Sequence, residues 1–505
     1  MRLRWRQWCA FLAEREPGTA VSLFRISIGI CVVWMFGSVA AHGLVPVVWL
    51  NPADGGWRPV NTPWLLQQLG GVTPTNVRVF TILAIVSGLM LAIGLFGRLA
   101  AFLALQCTLA LTHIDRPGFD DLLLGNLLWL LVLSRCTATL SLDCKLHTGS
   151  WRSAEPIPAW PRRLVIVQLV VMYFATGVQK ATVYWTPADG WSALYYILQS
   201  PRWARAEKPW LADAYPLLQL GTAVTWLWEV TAPLLLFALW RRRRGGRGRF
   251  VWGFIAIGLM MHLGIFAFMD LGPFSFIALS CYWSLFRFGP VVKPTSAPRP
   301  SVVPVFVPLH ILAVLLQAAP APMYTDRAEW KHPQIQAEIA RWAKHLGTSH
   351  DRLEDALWTA SDRFVHVRDP IQDRFAPYYR HCGTSQGWRM FVAPDLDPTR
   401  LELEVFERGA WRCVYRELDP AHRWQAGILE HWRFRVSFFS TTWSRNWGEV
   451  QSFGEWLMPC AAADFPDATR FRLRLHTWRL LPAANVQAGE SPTVRLLHER
   501  ELSLK

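Results

Sequence analysis

A single lysine lies in an otherwise uncharged and strongly apolar stretch of the chain. Lys180 falls within residues 165–197, where an apolar helical segment is followed by the polar break TPADG and a second aromatic segment. A charge inside a hydrophobic span is costly and marks a functional site by default. The alternative is that Lys180 snorkels from a helix end to the membrane interface. Burial lowers the pKa of a lysine, so an amine beside a dry cavity is a candidate general base.

Further polar side chains lie near the ends of neighbouring apolar segments. His262 is part of LMMHLGIF, and Glu229 lies near the middle of another apolar segment. Charges within spans face the interior of a helix bundle and pair with one another. We therefore expect a cavity that opens outward and is lined by Lys180, His262 and one or more carboxylates. The carboxylate candidates are Asp115, Asp120, Asp121, Asp189, Glu229 and Asp270.

Each of these residues also has a structural interpretation, and the sequence leaves both open. His262 could be a core histidine bonded to a neighbouring helix. Asp120 and Asp121 begin a helix, where carboxylates favour the positive end of the helix dipole. Glu229 could hold two helices together or stay protonated. Three tyrosines are candidates for anchors at the membrane interface and also for reactants: Tyr184, Tyr195 and Tyr196.

The composition indicates a chain with a membrane part and a soluble part. Of the 505 residues, 52% are hydrophobic and 18% are charged, against about 25% charged in ordinary soluble domains. The mean hydropathy is +0.17, and the 29 tryptophans are typical of membrane interfaces. We predict a polytopic α-helical membrane bundle over residues 1–320. An extracytoplasmic α+β domain, mainly β, follows over residues 321–505.

Nine apolar segments are candidate membrane spans by length. Much of the net charge of +15 lies in short loops between them, which indicates cytoplasmic loops rather than a nucleic-acid partner. Five loops agree in placing the amino terminus inside, so the soluble domain faces a periplasm or lumen. The expected location is the cell inner membrane, with membrane lipids as partners. The segments are 19–41, 77–96, 99–113, 121–140, 164–182, 216–240, 250–268, 273–288 and 302–319.

The soluble domain begins with helical patterns near residues 326–346 and 350–365. Alternation of apolar and polar residues then predicts strands at LELEVF, WRCVYREL, FRVSFF and RFRLRLHTWRLL. Because this domain is expected outside the cytoplasm, one disulfide is plausible among Cys382, Cys413 and Cys460. Neither zinc-ligand spacing nor a phosphate-binding glycine motif occurs, so we predict no metal site.

Several stretches together resemble the HTTM (horizontally transferred transmembrane domain) family, which contains the vitamin K-dependent γ-glutamyl carboxylase and its bacterial relatives. The best piece is MYFATGVQKATVYWTPADGW at 172–191. Similar pieces are SLFRISIGICVVWMF at 22–36, IGLFGRL at 93–99, FDDLLLGNLLWLLVLS with LSLD at 119–143, and HLGIFAFMDLGPFSFIALS at 262–280. The resemblance covers about residues 20–290. The segment QGWRMFVAP at 386–394 also looks like a tail found on bacterial members.

The resemblance implies an integral membrane enzyme of the carboxylase/epoxidase (carbon–carbon lyase) type. It would couple oxygenation of reduced vitamin K or menaquinol to carboxylation or another modification of a peptide or protein substrate at the outer membrane face. The co-substrates would be O2 and CO2. By the matched motifs, Lys180 would act as base toward the reduced quinone, and His262 would belong to the same active region. Five further residues in the matched stretches are candidates for substrate binding: Asp120, Asp121, Asp189, Tyr173 and Trp191.

The chain also departs from the family pattern. Gln179–Lys180 stands where the animal enzymes have two lysines, and Asp120–Asp121 where they have a histidine near the fourth span. The second departure favours a quinone oxygenase without carboxylase activity. A non-enzymatic protein that binds lipid or quinone, or that serves transport or assembly, is the remaining alternative.

Overall fold

The computed structural model describes residues 2–115, 118–246, 248–293, 301–320, 326–438 and 446–504. The first two thirds of the chain are helical, and the last third combines helices with one antiparallel sheet. A short two-stranded sheet pairs β1 (Arg15–Glu16), near the start of the chain, with β2 (Ile157–Pro158). The fold class is therefore the predicted one in outline: a helical membrane part followed by a region that contains a sheet. The prediction that this region is mainly β is wrong, because helices cover more of its described residues than strands do.

The membrane part contains the following helices, in chain order: α1 Arg2–Leu12, α2 Thr19–Ala41, α3 Leu44–Trp49, α4 Trp64–Gln68, α5 Pro74–Ile93, α6 Gly97–Thr112, α7 Phe119–Val132, α8 Leu142–Thr148, α9 Trp160–Gln179, α10 Ala193–Ile197, α11 Tyr215–Val230, α12 Leu234–Arg243, α13 Arg249–Phe268, α14 Phe274–Ser280 and α15 Val303–Ala318.

Four of these helices are long and apolar enough to cross a membrane: α2, α5, α9 and α13. The pair α11 and α12 makes a fifth span if it counts as one, although it bends by 63° at a short break. Several more helices are apolar but shorter, among them α6 and α15. Each of the nine predicted segments overlaps at least one of these helices, and the chain is a multi-pass membrane protein that contacts lipid. The count of nine spans stays a prediction.

Small residues bring α2 and α5 into close contact. A Cβ on Gly29 would lie 2.5 Å from the backbone nitrogen of Ala92, and a Cβ on Gly88 would lie 2.8 Å from the Val32 side chain. Membrane helices without a hydrophobic driving force associate through such small residues, which let their backbones approach. Close packing of α2 on α5 therefore depends on glycine at two positions.

The carboxy-terminal part has an antiparallel sheet of order β4–β3–β5–β6. Its strands are β3 Thr399–Glu407, β4 Ala410–Arg416, β5 Arg470–Thr477 and β6 Arg495–Ser503. Its helices are α16 Pro333–Leu346, α17 His350–Gln372, α18 Ala376–Cys382, α19 Ala426–Leu429, α20 Trp432–Phe438, α21 Trp447–Asp464 and α22 Ala483–Gln487.

Three of the four predicted strands are confirmed. LELEVF lies in β3, WRCVYREL begins in β4, and RFRLRLHT forms β5. On β5, Phe471, Leu473 and Leu475 are buried, while Arg472 on the other face pairs with Glu404 of β3. The period-two pattern therefore identified a sheet with one apolar and one charged face. The helical patterns at 326–346 and 350–365 correspond to α16 and α17; α16 begins later than predicted, and α17 continues to Gln372.

The predicted strand FRVSFF (434–439) is wrong, because α20 covers this stretch as far as Phe438. Phe434 and Phe438 are four residues apart and stack on one helical face, and both contact Phe453 of α21. This packing favours a helix over the strand that alternation alone suggests. The sequence reading also missed β6 and α21.

The predicted disulfide is also corrected. The nine cysteines are free, including Cys382 at the end of α18, Cys413 in β4 and Cys460 on α21. These three residues belong to separate elements. None of the three is therefore bonded to another.

We expect Gly29→Val to destabilise the protein, because the added side chain would collide with the backbone of α5. A matched control on the same helix is Gly37→Ala, since nothing lies within 4 Å of a Cβ at Gly37. Thermal unfolding in detergent should show a large fall in melting temperature for Gly29→Val and little change for Gly37→Ala. Equal effects of the two substitutions would contradict this account of the α2–α5 contact.

Candidate functional site

Lys180 caps the carboxyl end of α9, and its side chain is buried. Its exposed fraction is 3%, and Nζ lies 2.7 Å from both carboxylate oxygens of Glu229 on α11. The ammonium also lies 4.5 Å from the centre of the Trp185 ring, a distance typical of cation–π contacts. Lys180 therefore does not snorkel to the interface, because its charge is held inside the protein by a buried carboxylate and an aromatic face.

Gly177 allows the pair to form. A Cβ on Gly177 would lie 2.8 Å from both the Glu229 Cβ and the backbone nitrogen of Val230. Helices α9 and α11 therefore meet almost backbone to backbone at this point, three residues before Lys180. Any side chain at Gly177 would push α11 away and lengthen the distance between the ammonium and the carboxylate.

A second polar group lies deeper on α9. The Tyr173 hydroxyl lies 2.7 Å from Nε2 of His262 on α13 and 3.0 Å from the Tyr282 hydroxyl. Its ring centre is 4.4 Å from that of Trp228, the residue before Glu229. Trp228 thus joins the Lys180–Glu229 pair to the Tyr173–His262–Tyr282 group, which we call the hydroxyl–imidazole group.

His262 has one ring nitrogen that is engaged and one that is not. Its Nδ1 is buried and finds no hydrogen-bond partner among the residues that the structure describes. Tyr282 packs against Gly258, one helical turn before His262, where an added Cβ would meet its hydroxyl at 1.9 Å. His262 therefore bonds a neighbouring helix through Nε2, as expected of a core histidine. Its Nδ1 has no hydrogen-bond partner among the described residues.

The carboxy-terminal part covers the end of α9 through backbone carbonyls. Gln179 donates a hydrogen bond to the Trp388 carbonyl, Thr182 to that of Val392 and Trp185 to that of Phe391. These three acceptors belong to QGWRMFVAP, the stretch that looked like a tail in the sequence. Because it lies over the residues that surround Lys180, this segment helps to exclude water from the buried pair.

The same segment is fixed by a buried amide network. The Gln386 side chain donates to Asn126 on α7 at 2.6 Å, exchanges hydrogen bonds with Gln168 on α9, and accepts one from the Trp388 indole. Buried polar networks that are satisfied in this way specify one arrangement. The covering segment is thus positioned by side chains of two membrane helices.

The predicted aspartate pair lies in a different environment from Lys180. Asp121 accepts two hydrogen bonds from Arg433 of α20, at 2.6 and 2.8 Å, in a fully buried ion pair. It also accepts the backbone N–H of Gly118 at 2.7 Å, so the helix-cap interpretation holds for this residue. Asp120 is buried, and its Oδ2 has no partner in the described part of the chain.

Lys180 pairs directly with one of the candidate carboxylates. Of the candidate carboxylates, Glu229 is the one that contacts Lys180, while Asp121 is used to join α7 to the carboxy-terminal part. Asp115 pairs with Arg58, and Asp270 pairs with Arg205. The two remaining substrate-binding candidates lie in the turn after α9: Asp189 accepts from Ser192 at 2.5 Å, and Trp191 packs on Trp226 at 5.8 Å.

Sequence reasoning missed Trp228 and Tyr282 as members of the site. It also named Tyr173 and Lys180 without relating them, although the two residues are seven positions apart and thus about two helical turns along one face. That spacing was a usable signal. No comparable signal exists for Tyr282, because its approach to Tyr173 depends on how separate helices pack.

The Lys180–Glu229 pair and the hydroxyl–imidazole group provide side chains that can transfer protons. Among the described residues, no cluster of three or more His, Cys, Asp or Glu side chains could hold a metal ion. An ammonium and a carboxylate 2.7 Å apart can exchange one proton, which gives a neutral amine and a neutral acid without any charge leaving the site. The pair can therefore present Lys180 as an amine in a region that excludes water.

A family model described as HTTM domain matches residues 14–286 of the chain. The match covers the Lys180–Glu229 pair and the whole hydroxyl–imidazole group. No match was found among the curated proteins or among the solved structures.

We expect the Lys180–Glu229 pair to behave as one unit in stability measurements. Lys180→Met or Glu229→Leu alone leaves an uncompensated buried charge, which costs about 3–5 kcal/mol of unfolding free energy. The double variant should recover most of that loss. The exposed pair Arg470–Glu501 is the control, since either single change there should cost about 1 kcal/mol or less. Additive losses in the buried double variant, measured by unfolding in mixed detergent, would contradict the pairing.

Proposed function

Because the chain belongs to the HTTM family, we propose that it is a membrane enzyme of the carboxylase/epoxidase type. It acts on a reduced quinone, with reduced vitamin K or menaquinol as the candidate, and uses O2. The observation that carries the proposal is the buried Lys180–Glu229 pair, which lies beside a hydroxyl–imidazole group inside the matched domain.

The pair meets the requirement for a base toward a hydroquinone. A phenol-like hydroxyl has a pKa near 10, judging by tyrosine, so a base that removes its proton near neutral pH must itself be uncharged. Lys180 becomes uncharged when its proton passes to Glu229. In a site that excludes water, this neutral form is not penalised by lost solvation, whereas the separated charges would be.

The hydroxyl–imidazole group supplies the polar contacts that an otherwise apolar substrate ring needs. Tyr173 and His262 present a phenol and an imidazole within an aromatic wall that includes Trp228 and Phe254. Ligand sites of this kind combine apolar walls with a few polar groups that fix orientation. We assign Tyr173 and His262 to holding a quinone oxygen, while Lys180 takes the proton. Removal of water protects a reactive site from side reactions.

The proposed topology places this chemistry at the outer face of the cell inner membrane. Nine spans with the amino terminus inside put the carboxy-terminal part in the periplasm or a lumen. There it covers the end of α9 and could present a peptide or protein substrate. The basic run at the end of α12, Arg241 to Arg243, would then lie in the cytoplasm, in agreement with the positive-inside rule.

A quinone oxygenase without carboxylase activity is the second candidate. It is favoured by the engagement of Asp121 with Arg433, because the position at which the animal enzymes carry a histidine is here used to join the two parts of the chain. On this alternative CO2 is not a co-substrate. A protein that only binds quinone or lipid would keep the covered site and catalyse no oxygen consumption.

Oxygen uptake with reduced vitamin K or menaquinol tests the proposal. We expect purified protein in detergent to consume O2, and Lys180→Ala to lose about 10²-fold or more of this activity, as general bases typically contribute about 10²–10⁴-fold. Tyr173→Phe should weaken activity, while Tyr378→Phe is the matched control. Tyr378 is also a hydrogen-bonded tyrosine, with Trp129 and His310 as partners outside the site.

Incorporation of labelled bicarbonate into peptide distinguishes the two enzymatic candidates. Incorporation that requires the hydroquinone supports a carboxylase, and oxygen uptake without incorporation supports the oxygenase alternative. Wild-type protein that folds and consumes no oxygen with either quinol would refute both.

Cysteine labelling tests the orientation. Cys460 is exposed, so a maleimide that does not cross membranes should label it from the outer side in spheroplasts, and Cys460→Ser should remove that signal. Arg244→Cys in the Cys460→Ser background is the control and should be labelled only after the membrane is opened. The reverse pattern would place the carboxy-terminal part in the cytoplasm.

A further inference from the structure

Helix α17 carries a row of apolar side chains that the rest of the described chain leaves uncovered. The members are seven, three and four residues apart, which puts them on one face of the helix. The exposed fraction is 68% at Val367 and between 38% and 43% at the other three. A contiguous exposed apolar surface marks an interaction site. We call these four residues the α17 apolar row: Leu357, Phe364, Val367 and Ile371.

Other faces of α17 hold the helix on the protein. Trp358 packs on Trp330, with ring centres 5.3 Å apart. Glu354 is buried and accepts a hydrogen bond from Lys331 at 2.7 Å. Neither Trp358 nor Glu354 belongs to the α17 apolar row, so α17 is held in place while the row remains available for a contact outside the chain.

The acidic side chains of α17 lie on the side opposite to the row. Asp355, Asp362 and Asp369 recur every seven residues and therefore form a ridge along the helix. Asp355 pairs with Arg327, and Asp369 pairs with Arg368. The helix thus turns its negative charge away from whatever the row contacts, and two of the three carboxylates are neutralised within the chain.

Arginines follow one edge of the row. Arg352, Arg363 and Arg374 recur every eleven residues, which is close to three whole helical turns; Arg374 lies in the short turn that follows α17. All three are exposed, and no carboxylate of the described residues pairs with them. An apolar face bordered by basic side chains is the pattern of a helix that lies in a membrane interface and attracts anionic lipid.

The carboxyl end of α17 lies beside an apolar helix of the membrane part. α17 contacts α15 directly, and α18, which follows it, is fixed on the same helix. The Tyr378 hydroxyl lies 2.7 Å from Nδ1 of His310, and the Tyr379 hydroxyl donates to the Ala313 carbonyl at 2.8 Å. The α17 apolar row therefore continues a surface that is itself apolar and exposed. Its members on α15 are Val305, Leu309 and Leu312.

We propose that α17 lies in the interface of the bilayer that the membrane part crosses. The α17 apolar row lies among the acyl chains, the three arginines contact the phosphates of anionic lipids, and the acidic ridge faces water. This contact attaches the carboxy-terminal part to the membrane at a place of its own. The proposal holds for either orientation of the chain and does not depend on the function proposed for the Lys180 site.

Spin labels on the full-length protein in nanodiscs test the proposal. We expect a label at Val367→Cys to be reached far more readily by oxygen, which concentrates in lipid, than by a water-soluble nickel chelate. A label at Asp362→Cys, on the opposite side of the same helix, is the matched control and should show the reverse preference. Both variants are made in the Cys460→Ser background, because Cys460 is exposed. The background protein without an introduced cysteine supplies the blank.

The role of the arginines is tested by comparing phosphatidylcholine nanodiscs with and without phosphatidylglycerol. We expect phosphatidylglycerol to raise the ratio of oxygen to nickel access at Val367→Cys. Each arginine beside an anionic surface favours the membrane-bound helix by about fivefold, so Arg352→Gln with Arg363→Gln should lose about 25-fold of that preference. Arg408→Gln with Arg470→Gln is the control and should keep the response, because these two arginines lie at the sheet and pair with Asp467 and Glu501.

Three results would overturn the proposal. The first is nickel access at Val367→Cys equal to that at Asp362→Cys in both lipid mixtures. The second is protection of the Val367→Cys label from oxygen and nickel alike, which would show that a protein surface covers the row. The third is access from lipid that responds neither to phosphatidylglycerol nor to the loss of Arg352 and Arg363. Leu357→Cys repeats the measurement on the same row if Val367→Cys does not fold.

Discussion

The buried ion pair between Lys180 and Glu229 is the interaction on which the arrangement of the membrane part depends. Each charge would be costly alone inside an apolar bundle, and together they are tolerated because their groups lie 2.7 Å apart. That distance requires α9 and α11 to meet at Gly177, where no side chain fits. One glycine, one lysine and one glutamate therefore determine how the two helices pack. The same packing places Trp228 beside Tyr173, so that aromatic rings lie next to the buried ion pair.

The carboxy-terminal part completes this region instead of forming an independent appendage. Three of its backbone carbonyls accept hydrogen bonds from side chains around Lys180, and the Gln386 amide is bonded into α7 and α9. At a second place, Arg433 enters the membrane part and is neutralised by Asp121. Each contact buries polar groups that would be unsatisfied without its partner, so the two parts stabilise one another. Water is excluded from the buried pair as a consequence.

Two classes of buried cation can be distinguished in the chain. Lys180 and Arg433 each have a carboxylate at hydrogen-bonding distance, and their charges are accounted for within the protein. Arg435, two residues after Arg433 on the same helix, has no such partner in the described residues and faces a cavity. Because α20 is short, both arginines are held by the contacts that fix this helix between the membrane part and α21. The same packing thus produces one arginine that joins the two parts of the chain and one that donates to the Ala204 carbonyl beside a cavity.

The sequence by itself determined the class of the protein, the apolar helices, three of the strands, and Lys180, His262 and Tyr173 as residues of interest. These features depend on local composition and on periods of two or 3.6 residues, which neighbouring positions carry. Tertiary structure alone decided that Lys180 pairs with Glu229 rather than with Asp120, Asp121 or Asp189, and that Asp121 belongs to Arg433, 312 positions away. It also turned FRVSFF into helix α20, whose phenylalanines pack on Phe453. The physical reason is that an ion pair or an aromatic contact is chosen by which helices approach in space, and this depends on residues far apart in the chain.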